Sequence, residues 1–189
     1  MPLTKLPGIR RRPKTAPAAA LLATVLLFAG SSPSALACPY IGRSPSSLNT
    51  DQAGLSVICL VNKKRHHRGA RRLTWDPRLQ SAAESHSTAM DSYNFFAHGG
   101  DGTPVDRVRA SGYLAGASSW IVGEDLHWGT GGQGTPKATV KRWMASPSHR
   151  ATMLSRAFRN IGVGVTTGSP LGGNGVNAAI YTAEFGRRH

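Results

Sequence analysis

The chain reads as an α+β domain behind an export leader, and three observations point there. Segments with apolar residues at helical spacing, several opened by a capping residue and a proline, recur between residue 52 and about residue 156. Two strand-like runs, Ile161 to Val165 and Ala178 to Phe185, finish the chain, joined by the glycine-rich stretch Gly168 to Gly175. Ahead of these lie a cationic stretch from Lys5 to Lys14, an apolar run from Ala18 to Ala29, and Ala35-Leu36-Ala37, which together have the form of a secretory signal peptide.

The expected organisation is a signal peptide over residues 1–37, a tether over residues 38–51 and one domain over residues 52–189. The apolar run of the leader is short for a bilayer span, and no later stretch approaches the roughly 20 residues a span requires. Cleavage after Ala37 leaves a chain long enough for one sizeable core and makes Cys38 the first residue. Two readings of that cysteine are open. A disulfide with Cys59 uses both cysteines of an exported chain and is worth about 3 kcal/mol by loop entropy. Lipid attachment is the other, since bacterial lipoproteins are cut immediately before a cysteine; peripheral membrane association follows only from this second reading.

The elements follow in order. Gly42 to Asp51, rich in Ser, Pro and Asn, leads into a helix from Gln52 to about Arg68 with Leu55, Ile58, Cys59 and Val61 at helical spacing, closed by Gly69. Its basic end, Lys63 to Arg72, contains His66 and His67. Adjacent residues on a helix point in different directions, so this run is a solvated basic turn rather than a metal site. Asp76-Pro77 starts a second helix, on which Leu79, Ala82, Ala83, His86 and Met90 share a face; His86 reads as a hydrogen-bonded core histidine. The helix fades by Ser92-Tyr93-Asn94, and His98 is presented from a loop with Gly99, Gly100 and Gly102. Asp101 to Pro104 opens a short helix carrying Val105, Arg107 and Val108, ending at Gly112-Tyr113. Trp120 to Trp128 is apolar except for Glu124, Asp125 and His127, whose polar groups need partners or water. Gly129 to Gly134 reads as a flexible loop. Thr135-Pro136 opens a helix with Val140, Trp143 and Met144 on one face, and His149 falls in the first turn of the helix that follows Pro147.

The formal net charge of +14 falls to +9 once the leader and its five basic residues are removed. Such a surface favours anionic partners, envelope polymers and acidic lipid headgroups above all; specific nucleic-acid binding is not expected of an exported chain with no recognition motif.

His98, Glu124 and His149 all lie at the edges of predicted elements, where two imidazoles and a carboxylate can meet in one cleft. The ordered motifs around them carry a resemblance that spans nearly the whole mature chain. They are Asn62-x-x-Arg65-x-x-x-Gly69-x-x-x-Leu73-x-Trp75-Asp76, Phe95-Phe96-Ala97-His98, Arg107 with Gly112-Tyr113, Gly123-Glu124-Asp125, Trp143-Met144-x-Ser146-Pro147-x-His149-Arg150, Ile161-Gly162-Val163-Gly164-Val165 and Thr182-x-x-Phe185-Gly186. In these the chain resembles the CAP superfamily (SCP-like extracellular; cysteine-rich secretory, antigen and pathogenesis-related) in its short bacterial form. The resemblance implies a three-layer α-β-α sandwich with a central antiparallel sheet and a cleft lined by two histidines and two acidic residues, where some members bind zinc or another divalent ion. His98 and His149 match the histidines and Glu124 the first glutamate. The second glutamate falls on Ser146, which weakens a catalytic role; Asp125 stands where asparagine usually follows and is a candidate to compensate.

Two imidazoles, a carboxylate and a water would make an open zinc site over His98, His149 and Glu124. Serine chemistry is less favoured: Ser146 and Ser148 lie near His149, but no Gly-x-Ser-x-Gly elbow is present and both hydroxyls read as helix caps. The expectation is therefore a secreted, monomeric binding module for a lipid, a sterol-like molecule or an anionic wall polymer, acting through the cleft of His98, Glu124, His149, Ser146 and Asp125. The competing class is a metal-dependent, peptidase-like hydrolase using His98, Glu124 and His149.

Overall fold

A computed structural model describes residues 37–172 and 177–189. The leader lies outside these residues apart from Ala37, as does the centre of the glycine-rich connection. Five helices and four strands follow in the order α1 (Thr50–His66), β1 (Thr74–Trp75), α2 (Pro77–Ser92), α3 (Pro104–Ala110), β2 (Trp120–Thr130), α4 (Pro136–Ala145), α5 (Pro147–Leu154), β3 (Asn160–Thr167) and β4 (Ala178–Arg188).

Side chains at the helix starts accept amides that would otherwise lack partners. Asn49 accepts from Gln52 N at α1, Asp76 from Arg78 N at α2 and Thr135 from Ala138 N at α4. At α3, Thr103 and Asp106 form a reciprocal capping box. Ser146 sits at the N-cap of α5, where its carbonyl accepts from Arg150 N at 2.9 Å; its hydroxyl is 3.1 Å from that of Ser148 and accepts from no amide of the first turn, so the expected serine side-chain cap is absent there.

The sheet runs β1-β3-β4-β2 and is mixed: β3 is antiparallel to β4 and β4 to β2, while the two residues of β1 join β3 in parallel. α1, α4 and α5 pack on one face and α2 with α3 on the other, giving the expected three layers. Alternation along the strands divides the core accordingly. Ile161, Val163 and Val165 of β3 and Ala179, Tyr181, Ala183 and Phe185 of β4 join Val57, Val61, Val140 and Trp143 in the larger cluster. On the opposite face Ile180 meets Met90 and Leu126, and Ser87 donates to Thr182 Oγ1 at 2.9 Å. Gly162 and Gly164 bring β3 against the backbone of α2 at Leu79–Gln80 and Ala83–Glu84, an approach that leaves no space for a Cβ.

One expectation changes, and the disulfide reading of the two cysteines holds. Trp120 to Thr130, read only as an apolar stretch and a flexible loop from Gly129, forms the long edge strand β2 followed by a 3₁₀ turn over Gly131–Gly134. That turn is held in the fold: Tyr181 Oη donates to Gly134 O at 2.7 Å and His127 Nε2 to Gln133 O at 3.0 Å. The Cys38–Cys59 disulfide is formed, which occupies the sulfur that lipid attachment would need.

Candidate functional site

Glu124 sits on β2 directly across from Glu184 of β4, so both carboxyls rise from the face covered by α2 and α3. His98 reaches Glu124 from the α2–α3 loop, its Nδ1 donating to Oε1 at 2.6 Å. Gly100, at φ +111, lets this loop fold over Phe95, whose ring lies where a Cβ would stand. The His98 side chain is 56% exposed and that of Glu124 only 1%, so the ring presents its second nitrogen outward from a buried anchor.

Arg107 of α3 takes the other oxygen of Glu124, Nη2 to Oε2 at 2.5 Å. The same guanidinium donates to Asp101 Oδ1 (2.8 Å), Gly102 O (2.9 Å) and His98 O (3.1 Å), fixing the loop that carries the histidine. His86 lies behind it, fully buried, with Nδ1 2.8 Å from Asp101 Oδ1 and Nε2 3.0 Å from Ala97 O. It is the hydrogen-bonded core histidine expected from its place on α2.

Glu184 completes the cluster in an unusual state. It is fully buried, its oxygens have no hydrogen-bond partner among the described residues, and its closest cation is Arg107 Nε at 3.8 Å. Burial first, and the neighbouring Glu124 charge second, hold its pKa well above the ordinary carboxylate range.

His149 lies half-buried in the first turn of α5, held below the usual histidine range by burial and then by the charge of His98. His98 and Glu124 are thus brought together, no hydrogen bond among the described residues joins His149 to either, and Asp125 and Ser146 lie apart from them. Asp125 follows Glu124 on a strand and therefore faces the opposite layer. There it is completely buried, both oxygens lack partners among the described residues, and its pKa is pushed up to about 8 by burial above all. Ser146 stays at the α4–α5 junction, its hydroxyl bonded to that of Ser148.

This arrangement does not fit the expected metal set. Both oxygens of Glu124 are committed, one to an imidazole and one to a guanidinium whose charge opposes a divalent ion. Among the described residues no three His, Cys, Asp or Glu side chains gather to hold one ion. The two remaining imidazoles fall short of the three protein ligands of a catalytic zinc. What the geometry provides is a carboxylate hydrogen-bonded from two sides, orienting His98.

Sequence reading missed Asp101, Arg107 and Glu184 as members of this network. Glu184 had a legible signal, a single acid inside the otherwise apolar run of β4. Arg107 had none beyond its motif position, because the spacing of α3 does not reveal that its guanidinium turns inward.

Residues 59–185 match the model of the cysteine-rich secretory protein family, CAP. The chain belongs to this family. A CAP relative, the Bacillus subtilis (strain 168) protein YkwD, is 34% identical over 145 residues, covering 75% of this chain and 49% of its own length. The chain thus spans about half of that relative. Among solved structures, an extracellular SCP-domain protein from Bacillus anthracis is similar at 25% identity and TM-score 0.59, covering 72% of this chain and 40% of that one. An outer surface protein from Borrelia burgdorferi shares the CAP fold at 20% identity and TM-score 0.58, covering 70% and 90%.

Proposed function

We propose that this CAP domain is an exported binding module for an anionic amphiphile, held at a groove between α1 and α4 rather than in the histidine cleft. One observation carries the reading: a groove of about 410 Å³ walled by Ile41, Leu60, Val140 and Met144 and rimmed by Lys63, Lys64, Lys137 and Lys141. Apolar walls accept an acyl chain, and four ammonium groups at the rim meet an acidic head. The +9 charge of the mature chain draws such a ligand toward the protein. The Glu124 network then serves as a scaffold that specifies the loop geometry.

The competing hydrolase reading needs a free base and an activated nucleophile or metal-bound water. His98 could serve as a base, but both oxygens of Glu124 are engaged, Glu184 is buried, and the Ser146 hydroxyl bonds to that of Ser148 and not to an imidazole, which favours binding.

Calorimetric titration with palmitate below its micellar concentration tests this. Saturable binding is expected, weakened about tenfold or more in a Lys137→Glu, Lys141→Glu variant, since each lost charge contact is worth on the order of 1 kcal/mol. Binding unchanged by that variant, together with peptide cleavage abolished by His98→Ala, would restore the hydrolase.

A further inference from the structure

We infer a second ligand site, for a neutral saccharide, in the cavity between α2 and α3. It encloses about 560 Å³ and lies in a different layer from the lysine-rimmed groove. Ser81 and Ser85 of α2, Tyr93 at its end, and Asp101, Asp106 and Arg107 around α3 line it, and the rest of its wall is alanine and Ser111. None of His98, Glu124 and His149 lines it; Asp101 and Arg107 form the partition between this cavity and the Glu124 network.

The lining selects the ligand by elimination and then by fit. Its apolar part is mostly alanine methyl groups, which grip an acyl chain poorly. No lysine lines it and two carboxylates do, which disfavours an anion. A chelated cation is disfavoured as well: Asp101 Oδ1 is held by Arg107 and His86, and Asp106 is occupied by Thr103 and by Arg109. What remains is hydrogen-bonding capacity with nothing in the protein to use it. Asp101 Oδ2 accepts from no group among the described residues, and the hydroxyls of Ser81 and Ser85 are likewise unbonded there.

Ser81 and Ser85, one helical turn apart, are neighbours on α2, and Tyr93 just past its end lines the same cavity. Tyr93 is 75% exposed. An aromatic ring beside a carboxylate and a row of hydroxyls suits a sugar, whose C–H face packs on the ring while its hydroxyls donate to Asp101 and exchange hydrogen bonds with the serines. The volume falls in the range of small-molecule sites.

Titration of ¹⁵N-labelled full-length mature protein with maltotriose and with triacetylchitotriose, followed by amide shifts, tests the site. At least one trisaccharide is expected to give saturable shifts at Ser85, Tyr93 and Ser111. Tyr93→Ala should weaken binding about tenfold through loss of the stacking face, and Ser85→Trp should abolish it by filling the cavity; both positions are exposed, and thermal melts confirm that each variant folds. The Lys137→Glu, Lys141→Glu variant should bind the trisaccharide like wild type, so failure of the amphiphile reading leaves this one standing and the reverse. Shifts confined to the His98 and His149 region, no saturable shifts with either sugar, or wild-type affinity in both cavity variants would overturn the assignment.

Discussion

Arg107 and Asp125 show how differently one sheet treats its buried charges. Arg107 satisfies Glu124, Asp101 and two carbonyls with four hydrogen bonds, so the carboxyls beneath α3 face a cation. Asp125 has no such partner, and burial pushes it up to about 8 from an ordinary 3.8. Between these values the folded protein holds a proton at Asp125 that the unfolded chain has released. Its stabilising contribution is therefore full below pH 4, declines as the pH rises, and is gone by about pH 8. Glu184, also raised, acts in the same sense. His127 and His149, both lowered mainly by burial, act oppositely, their neutral forms favouring the fold as the pH passes through the histidine range. Comparing wild type with Asp125→Asn isolates the one carboxyl. In urea unfolding, the stability of the variant relative to wild type should rise by at least about 2 kcal/mol from pH 5 to pH 8.5. Parallel pH profiles would show that Asp125 is not desolvated as described.

At the scale of elements, the tightest constraint is the contact of α2 with β3 through Gly162 and Gly164. A Cβ at Gly164 would stand inside the contact distance of the α2 backbone at Ala83 and Glu84, where no side chain can rotate away. Gly164→Ala is therefore expected to destabilise by about 2 kcal/mol or more, at or above the middle of the overpacking range, measured by chemical denaturation. Gly42→Ala, with nothing within 4 Å, is the matched control and should change little. These two strand glycines were visible as part of a motif, but their reason was not, because it depends on the helix that crosses them. The helices were legible from local chemistry: Asp76-Pro77, Thr103-Pro104 and Thr135-Pro136 mark starts that the backbone honours within the first turn. β2 was not, since Gly123, Glu124, Asp125 and His127 interrupt the apolar pattern a strand usually shows, and only pairing with β4 explains them. The same strand explains why His98 and Glu124 were found as partners while Asp125 was misplaced: alternation turns neighbours to opposite faces, a consequence that requires knowing the segment is a strand.

For the molecule as a whole, the Cys38–Cys59 bridge joins the segment ahead of α1 to the middle of that helix across 21 residues of sequence. Its stabilisation comes from the unfolded chain, where closing a loop of this size removes entropy worth about 3 kcal/mol. The bridge also has a local consequence. It holds the segment containing Ile41, whose carbonyl accepts from Lys137 N at 2.9 Å and whose side chain walls the groove between α1 and α4. Loss of the bridge frees that wall, whereas the cavity between α2 and α3 draws none of its lining from the N-terminal segment. A Cys38→Ser, Cys59→Ser variant is thus expected to unfold about 3 kcal/mol more easily and to bind palmitate more weakly, while its trisaccharide-induced shifts stay at wild-type values under conditions where it remains folded. Equal weakening of both ligands would mean that the bridge acts on the entire sandwich. Unchanged palmitate binding would remove Ile41 from the groove and leave the bridge a purely entropic role.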